Sequence, residues 1–190
     1  MMNKIAGTVC STKDGEHKTV FDLLDESLRT PYLTEKLHIT GRLDLDTEGF
    51  LLLTTDGALT HRLISPKSHV GKTYYCELEK SESVEAQEKL VEKFNMGFEI
   101  PSEGNESGFV CKSSILEWIR EDNCEKSNKA KLTIYEGKFH QVKRMFKANG
   151  NHVIYLKRLS IGNLILDESL KPGEYKKLTD EEVKLLVESR

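Results

Sequence analysis

Hydrophobic and polar positions alternate with a period of two in several short stretches of this chain and recur at helical spacing in others. Strands are predicted at residues 5–10, 37–43, 50–55, 72–78, 108–119, 130–135 and 153–159. Helices are predicted at residues 19–28, 58–64, 83–94, 139–149 and 179–188. Thr179 and Glu182 have the spacing of a capping box, and Gly150 suits the end of the fourth helix. Polar segments 101–107 and 121–129 read as loops, and neither resembles an interdomain linker. Interleaved strands and helices without a repeat point to the α+β class.

A chain of 190 residues with 37% hydrophobic content can bury a substantial core, as a single domain or two closely packed lobes. Its apolar runs fall far short of the roughly 20 residues that cross a bilayer, and its start lacks a signal peptide's apolar stretch. A cytoplasmic protein with no membrane partner is expected. Cys10, Cys76, Cys111 and Cys124 are scattered without a C-x-x-C pair, so neither a zinc site nor a disulfide framework is indicated. The net charge of -3 argues mildly against nucleic-acid binding. Its distribution reverses that inference: Lys131, Lys138, Lys143, Arg144, Lys147, Lys157 and Arg158 are opposed within their segment only by Glu136. The acids of the 83–93 helix are expected to face solvent.

Candidate chemistry concentrates in Gly41-Arg42-Leu43-Asp44-Leu45-Asp46-Thr47-Glu48-Gly49-Phe50-Leu51-Leu52-Leu53-Thr54-Thr55-Asp56-Gly57. A strand followed by a polar turn and a second strand would put Asp44 at a strand end, where a rigid element can aim a carboxylate into a cleft. A turn residue capping the next segment is the alternative. Arg42 stands two residues earlier, so on extended backbone it shares a side with Asp44. Asp46 is read as holding the loop. Asp44-x-Asp46-x-Glu48-Gly49 imitates a helix-loop-helix calcium loop but has Thr55 where a bidentate Glu is needed, and its flanks are strand-like. A magnesium-dependent aspartyl phosphatase would need a downstream acidic cluster and lacks the Gly-Arg-Leu prefix. No metal site is expected.

The run resembles the G-R-L-D-x-x-T-x-G-L-L-L-L-T-x-D-G signature of pseudouridine synthases, in the RsuA-like branch that modifies ribosomal RNA, with Phe50 the soft departure. Further family motifs follow in order: Lys72-Thr73-Tyr74, then Glu136-Gly137-Lys138-Phe139-His140-Gln141-Val142-Lys143-Arg144-Met145-Phe146. Gly150-Asn151-His152-Val153-Ile154-Tyr155-Leu156-Lys157-Arg158 and Pro172-Gly173-Glu174-Tyr175-Lys176-Lys177-Leu178-Thr179 complete the match. The resemblance implies a mixed, largely antiparallel sheet with flanking helices and a central RNA-binding cleft, acting on ribosomal RNA as a monomer without a cofactor, in one reading on a subunit assembly intermediate. It implies Asp44 as the catalytic aspartate, Tyr74 stacking on the target base, and Lys143 beside the carboxylate. Arg42, Lys138, His140, Gln141, Arg144, Lys147 and Arg158 are expected at the RNA, and Leu156 in the uracil pocket.

Ile5 stands where relatives carry proline. The motifs start close to Met1, where relatives place a small RNA-binding domain first, so residues 1–190 are expected to be a catalytic domain without that module. Similarity to the family from Glu136 to Leu178 favours a small-subunit ribosomal RNA substrate over the large-subunit branch, whose members often carry Arg-Asn-Arg where this chain has Lys138-Phe139-His140. A large-subunit or transfer RNA substrate, or a silent RNA-binding module, are the alternatives.

Overall fold

The computed structural model describes residues 1–121 and 124–189. In chain order the elements are β1 (Met2–Lys4), β2 (Thr8–Val9), β3 (Lys18–Thr19), α1 (Pro31–Lys36), β4 (His38–Thr40), β5 (Glu48–Thr54) and α2 (Gly57–Ile64). Then come β6 (Lys72–Glu82), α3 (Val84–Met96), β7 (Glu99–Ile100), β8 (Phe109–Val110), β9 (Ile115–Ile119) and β10 (Ser127–Ile134). α4 (Gln141–Lys147), β11 (Val153–Ile161), β12 (Leu164–Ile165) and α5 (Asp180–Val187) complete the described chain. Contacts divide it into two compact units, one of residues 1–71 and 157–190, the other Lys72–Leu156.

In the first unit β5 is the central strand. It pairs antiparallel with β1 and β4, and parallel with residues 157–158 of β11. Its Phe50, Leu51 and Leu52 are all at most 2% exposed, the continuous apolar run of a strand covered on both faces. Phe50 and Leu52 join Leu63 of α2, Ile161, Leu164 and Leu186 of α5 in one apolar cluster. The capping box read from sequence closes α5: Thr179 accepts from Glu182 N, and the Glu182 carboxylate accepts from Thr179 N.

In the second unit β6, β10 and β9 form an antiparallel series. β6 alternates cleanly, with Lys72, Tyr74, Cys76 and Leu78 buried and Thr73, Tyr75 and Glu77 half-buried. α3 starts at a Ser83 cap and ends at Gly97, whose φ of +76° a side chain would strain. Phe94 of α3 is fully buried, its ring centroid 5.3 Å from that of Phe146 of α4. Truncating such a ring costs about 3–5 kcal/mol.

The fold is the mixed, mostly antiparallel arrangement expected, with four local corrections. The first strand is β1, because the turn at Gly7, with φ +82°, breaks the extended backbone expected at 5–10. The 19–28 helix is two 3-10 turns, Val20–Leu23 and Glu26–Leu28, interrupted by extended Asp25. The 108–119 strand is divided into β8 and β9. β10 begins at Ser127, inside the segment read as a loop at 121–129, of which Asp122 and Asn123 lie outside the described residues. No helix among the described residues is long and apolar enough to cross a membrane.

Candidate active site

Asp44 does not end a strand. β4 stops at Thr40, Gly41 turns the chain at φ +69°, and Asp44 lies in the middle of loop 41–47. What makes this loop rigid is a set of bonds from outside it. The Lys4 ammonium is fully buried and donates to the carbonyl oxygens of Asp44 (3.0 Å), Leu45 (3.2 Å), Thr47 (2.8 Å) and Ile5 (3.3 Å). Gly7 N donates to Leu45 O at 2.8 Å, and Leu43 N to Cys10 Sγ at 3.3 Å. Burial lowers the Lys4 pKa, against the opposing pull of Cys10, Asp46, Asp44 and Glu48. Burial also raises that of the Cys10 thiol.

Arg158 ties the two ends of the loop together. Its side chain is 2% exposed; Nε donates to Phe50 O at 2.7 Å and Nη2 to Gly41 O at 2.6 Å. Arg158, expected at the RNA, is thus buried and bonded to main-chain carbonyl groups of its own unit. Gly49 permits this approach, because a Cβ there would lie 2.3 Å from Arg158 O. Leu43 is buried between exposed Arg42 and half-buried Asp44, whereas Asp46 is exposed.

In the second unit Tyr74 lies on the buried face of β6 at 8% exposure, opposite Leu132 of β10. Tyr75, the next residue, is half-buried and donates to Glu77 Oε1 at 2.6 Å. Burial and that carboxylate push its hydroxyl up to about 12. The pleat decided the matter: Lys72, Cys76 and Leu78 commit the Tyr74 face to the interior. Leu156 of β11 is 5% exposed.

The 136–147 motif is largely an internal polar network. Glu136, 4% exposed, accepts from Lys112 N at 3.0 Å and from Gln141 Nε2 at 2.8 Å, and the Gln141 oxygen accepts from Lys138 N at 3.0 Å. Gln141 and Arg144, expected at the RNA, are both buried, and Arg144 also lines an open pocket. Arg144 Nη2 donates to Pro101 O at 3.1 Å and Ser107 O at 3.0 Å, while its guanidinium lies 4.7 Å from the Phe109 ring centre. Lys138 donates to Val110 O at 2.8 Å, and Lys147 pairs with Glu103. His140 caps α4 in the left-handed region, φ +49°, with its ring stacked on Phe139 at 3.7 Å.

His140, Lys143, Arg144 and Lys147 do come together, on an open pocket of about 530 Å³ that Glu103 and Glu106 also line. These acids were missed because they are more than thirty residues from α4 in the chain, and no local spacing announces that a loop will return to it. Among the described residues no three His, Cys, Asp or Glu side chains are grouped to hold a metal.

A sequence model of the family described as RNA pseudouridylate synthase matches residues 1–148. The chain is 43% identical over 187 residues to ribosomal small subunit pseudouridine synthase A of Escherichia coli strain K12, covering 98% of this chain and 73% of that protein. It is 46% identical over 190 residues to a Bacillus subtilis protein named uncharacterized RNA pseudouridine synthase YtzG, covering 99% and 72%. Among solved structures, one described as a crystal structure of pseudouridylate synthase superposes with a TM-score of 0.79 at 41% identity, over 97% of this chain and 71% of the other. A chain of the archaeal box H/ACA sRNP Nop10-Cbf5 complex shares the fold, with a TM-score of 0.58 at 18% identity over 90% of this chain and 50% of that one.

Proposed function

This chain belongs to the RNA pseudouridylate synthase family, and from that premise we propose that it isomerises a uridine of small-subunit ribosomal RNA, with Asp44 as the reacting carboxylate. The observation that carries the reading is the loop itself. A half-buried carboxylate projects from main chain that Lys4, fully buried, holds through three carbonyl oxygens of the loop. A turn residue that merely caps a segment needs no such clamp, whereas a reacting group gains from being held within a fraction of an ångström.

In the reaction the bond between C1′ and N1 of uracil breaks, the base rotates, and a bond forms between C1′ and C5. C5 loses its proton and the freed N1 takes one up from solvent, so atoms balance without a redox partner and no cofactor is required. Asp44 acts either as nucleophile at the sugar or as the base that takes the 2′ proton. Tyr74 is assigned to stacking on the extruded base, which tolerates its rotation. Lys143 is assigned to keeping the carboxylate ionised, Leu156 to the apolar wall of the uracil site, and Arg42 to the adjoining RNA. The names of the relatives, ribosomal small subunit pseudouridine synthase A, support small-subunit RNA as substrate. Action as a monomer in the cytoplasm, on free RNA or on an assembly intermediate, belongs to the same proposal.

The test is release of tritium from RNA labelled at uridine C5. Small-subunit ribosomal RNA should lose label with wild-type protein and keep it with Asp44→Asn. Release from large-subunit or transfer RNA alone would move the substrate, and no release from any of the three would leave a silent binding module.

A further inference from the structure

Resting on the reading of this chain as an enzyme of RNA, we propose that the pocket on the second unit seats a backbone phosphate of the bound RNA, and that Glu103 and Glu106 occupy it as a removable stand-in. Lys147 pairs with Glu103, and Arg144 Nε lies 3.5 Å from Glu106 Oε2. His140 Nδ1 is 3.8 Å from Glu106 Oε1. Carboxylate and phosphodiester both offer negatively charged oxygens to such donors, so one can replace the other without rearranging the cations.

The turn that carries the two acids is built to leave. Glu103 and Glu106 close it on themselves through two main-chain bonds of 2.9 Å, with Gly104 at φ +55°, so no larger sheet is unmade if it swings away. Its ends are fixed, because Arg144 holds the carbonyl groups of Pro101 and Ser107 on either side. The Glu103–Lys147 pair is substantially solvated, at 53% and 48% exposure, and a pair of that kind exchanges partners readily in water, whereas Arg144 beside Glu106 is buried and stays in place. Lys147 also holds the Glu103 carboxyl below its ordinary range, the condition in which it serves as an anion.

A base platform lies beside the seat. Phe139 is 57% exposed and stacked on His140, which lines the pocket, so a nucleotide whose phosphate sits there can lay its base on an aromatic face. This favours a single-stranded RNA segment over a free anion. The acidic turn would then screen the seat from weak anions and yield to a strand that brings phosphate and base together.

The experiment is anisotropy titration of the whole chain against a short fluorescein-labelled oligouridylate. Glu103→Gln with Glu106→Gln should tighten binding by roughly threefold or more, beyond the gain from Glu88→Gln with Glu92→Gln, which removes the same charge from α3. In a Lys147→Gln background the excess should shrink, because one seat cation is gone. An excess that is absent, or that survives Lys147→Gln in full, overturns the proposal. Should the double variant fail to fold, Glu103→Gln alone tests the Lys147 half by the same comparison. Tritium release from ribosomal RNA by the same proteins separates the two readings. Wild-type turnover without the binding excess removes the stand-in alone, whereas the excess without any turnover removes the enzymatic reading and keeps an anion seat.

Discussion

The buried ammonium of Lys4 donates to the main-chain oxygen of Asp44 at 3.0 Å, so a side chain at the end of the first strand holds the backbone that carries the proposed reacting carboxylate. Lys4→Met keeps most of the volume and removes the donor. It leaves carbonyls of Asp44, Leu45 and Thr47 without that partner, an expected loss of about 2–4 kcal/mol of stability. Turnover measured below the unfolding transition should fall at least tenfold, since a small misplacement of the carboxylate is enough. Unchanged turnover per folded molecule would show that the clamp serves stability only.

Asp44→Asn is nearly isosteric and removes the charge. Isomerisation should be lost while thermal stability and RNA affinity stay near wild type, because the loop is held through main-chain atoms that the substitution leaves in place. Turnover within about tenfold of wild type, only about 1.4 kcal/mol on the barrier, would remove Asp44 from the chemistry.

Arg158 separates a loop tie from a phosphate ligand. Lysine cannot make both of its bonds to Phe50 O and Gly41 O, so Arg158→Lys should cost about 2–4 kcal/mol and lower Tm by roughly 5–15 °C. The slope of log affinity for RNA against log salt should not change. A slope smaller by nearly one unit at an unaltered Tm would return Arg158 to the RNA.

How far the sequence carried can be seen in these residues. The loop that carries Asp44 stands out in the sequence because its motif is contiguous, and the 72–78 and 153–159 strands because their pleat alternates. Lys4 was not legible as a clamp: its partners are forty residues away, and a lysine in a strand reads as solvent-facing until the pairing of β1 with β5 buries it. The internal bonds of Arg144 and Gln141 are hidden from the sequence for the same reason. A basic segment looks like an RNA face in one dimension, yet chain folding returns carbonyl groups of Pro101 and Ser107 and the Glu136 carboxylate to those very side chains.

The acid limb of stability should report a cluster in the first unit. Lys176 Nζ lies 2.5 Å from Asp167 and 2.7 Å from Glu182; hydrogen bonding to it holds both carboxyls below their ordinary values of 3.8 and 4.5, and raises its own pKa above 10.5. Depressed carboxyls contribute stability above their unfolded pKa that is lost as pH falls through the folded one. A raised lysine contributes below 10.5 and loses it as pH rises through its folded value. Lys176→Met should therefore flatten the decline of Tm between about pH 5 and pH 2, with added salt reducing the difference, as the groups are solvated. Parallel pH profiles for the two proteins would count against the cluster.

Tyr74 and Tyr75 sit side by side on β6 with opposite commitments, and the pair gives the sharpest check on the base-stacking role. Tyr74 is on the buried face with Lys72 and Cys76, and Tyr75 is half-buried with its hydroxyl on Glu77. Truncating either ring removes apolar contact, so stability alone does not discriminate. Tyr74→Phe preserves a stacking face and should keep most of the turnover, whereas Tyr74→Ala should lower kcat by at least a hundredfold with a much smaller change in RNA affinity, since affinity rests on phosphate contacts elsewhere. Tyr75→Ala should leave kcat within a few-fold once corrected for folded protein. Equal kcat values for Tyr74→Ala and Tyr75→Ala, each corrected in this way, would make Tyr74 a core residue and leave the uracil to another aromatic surface.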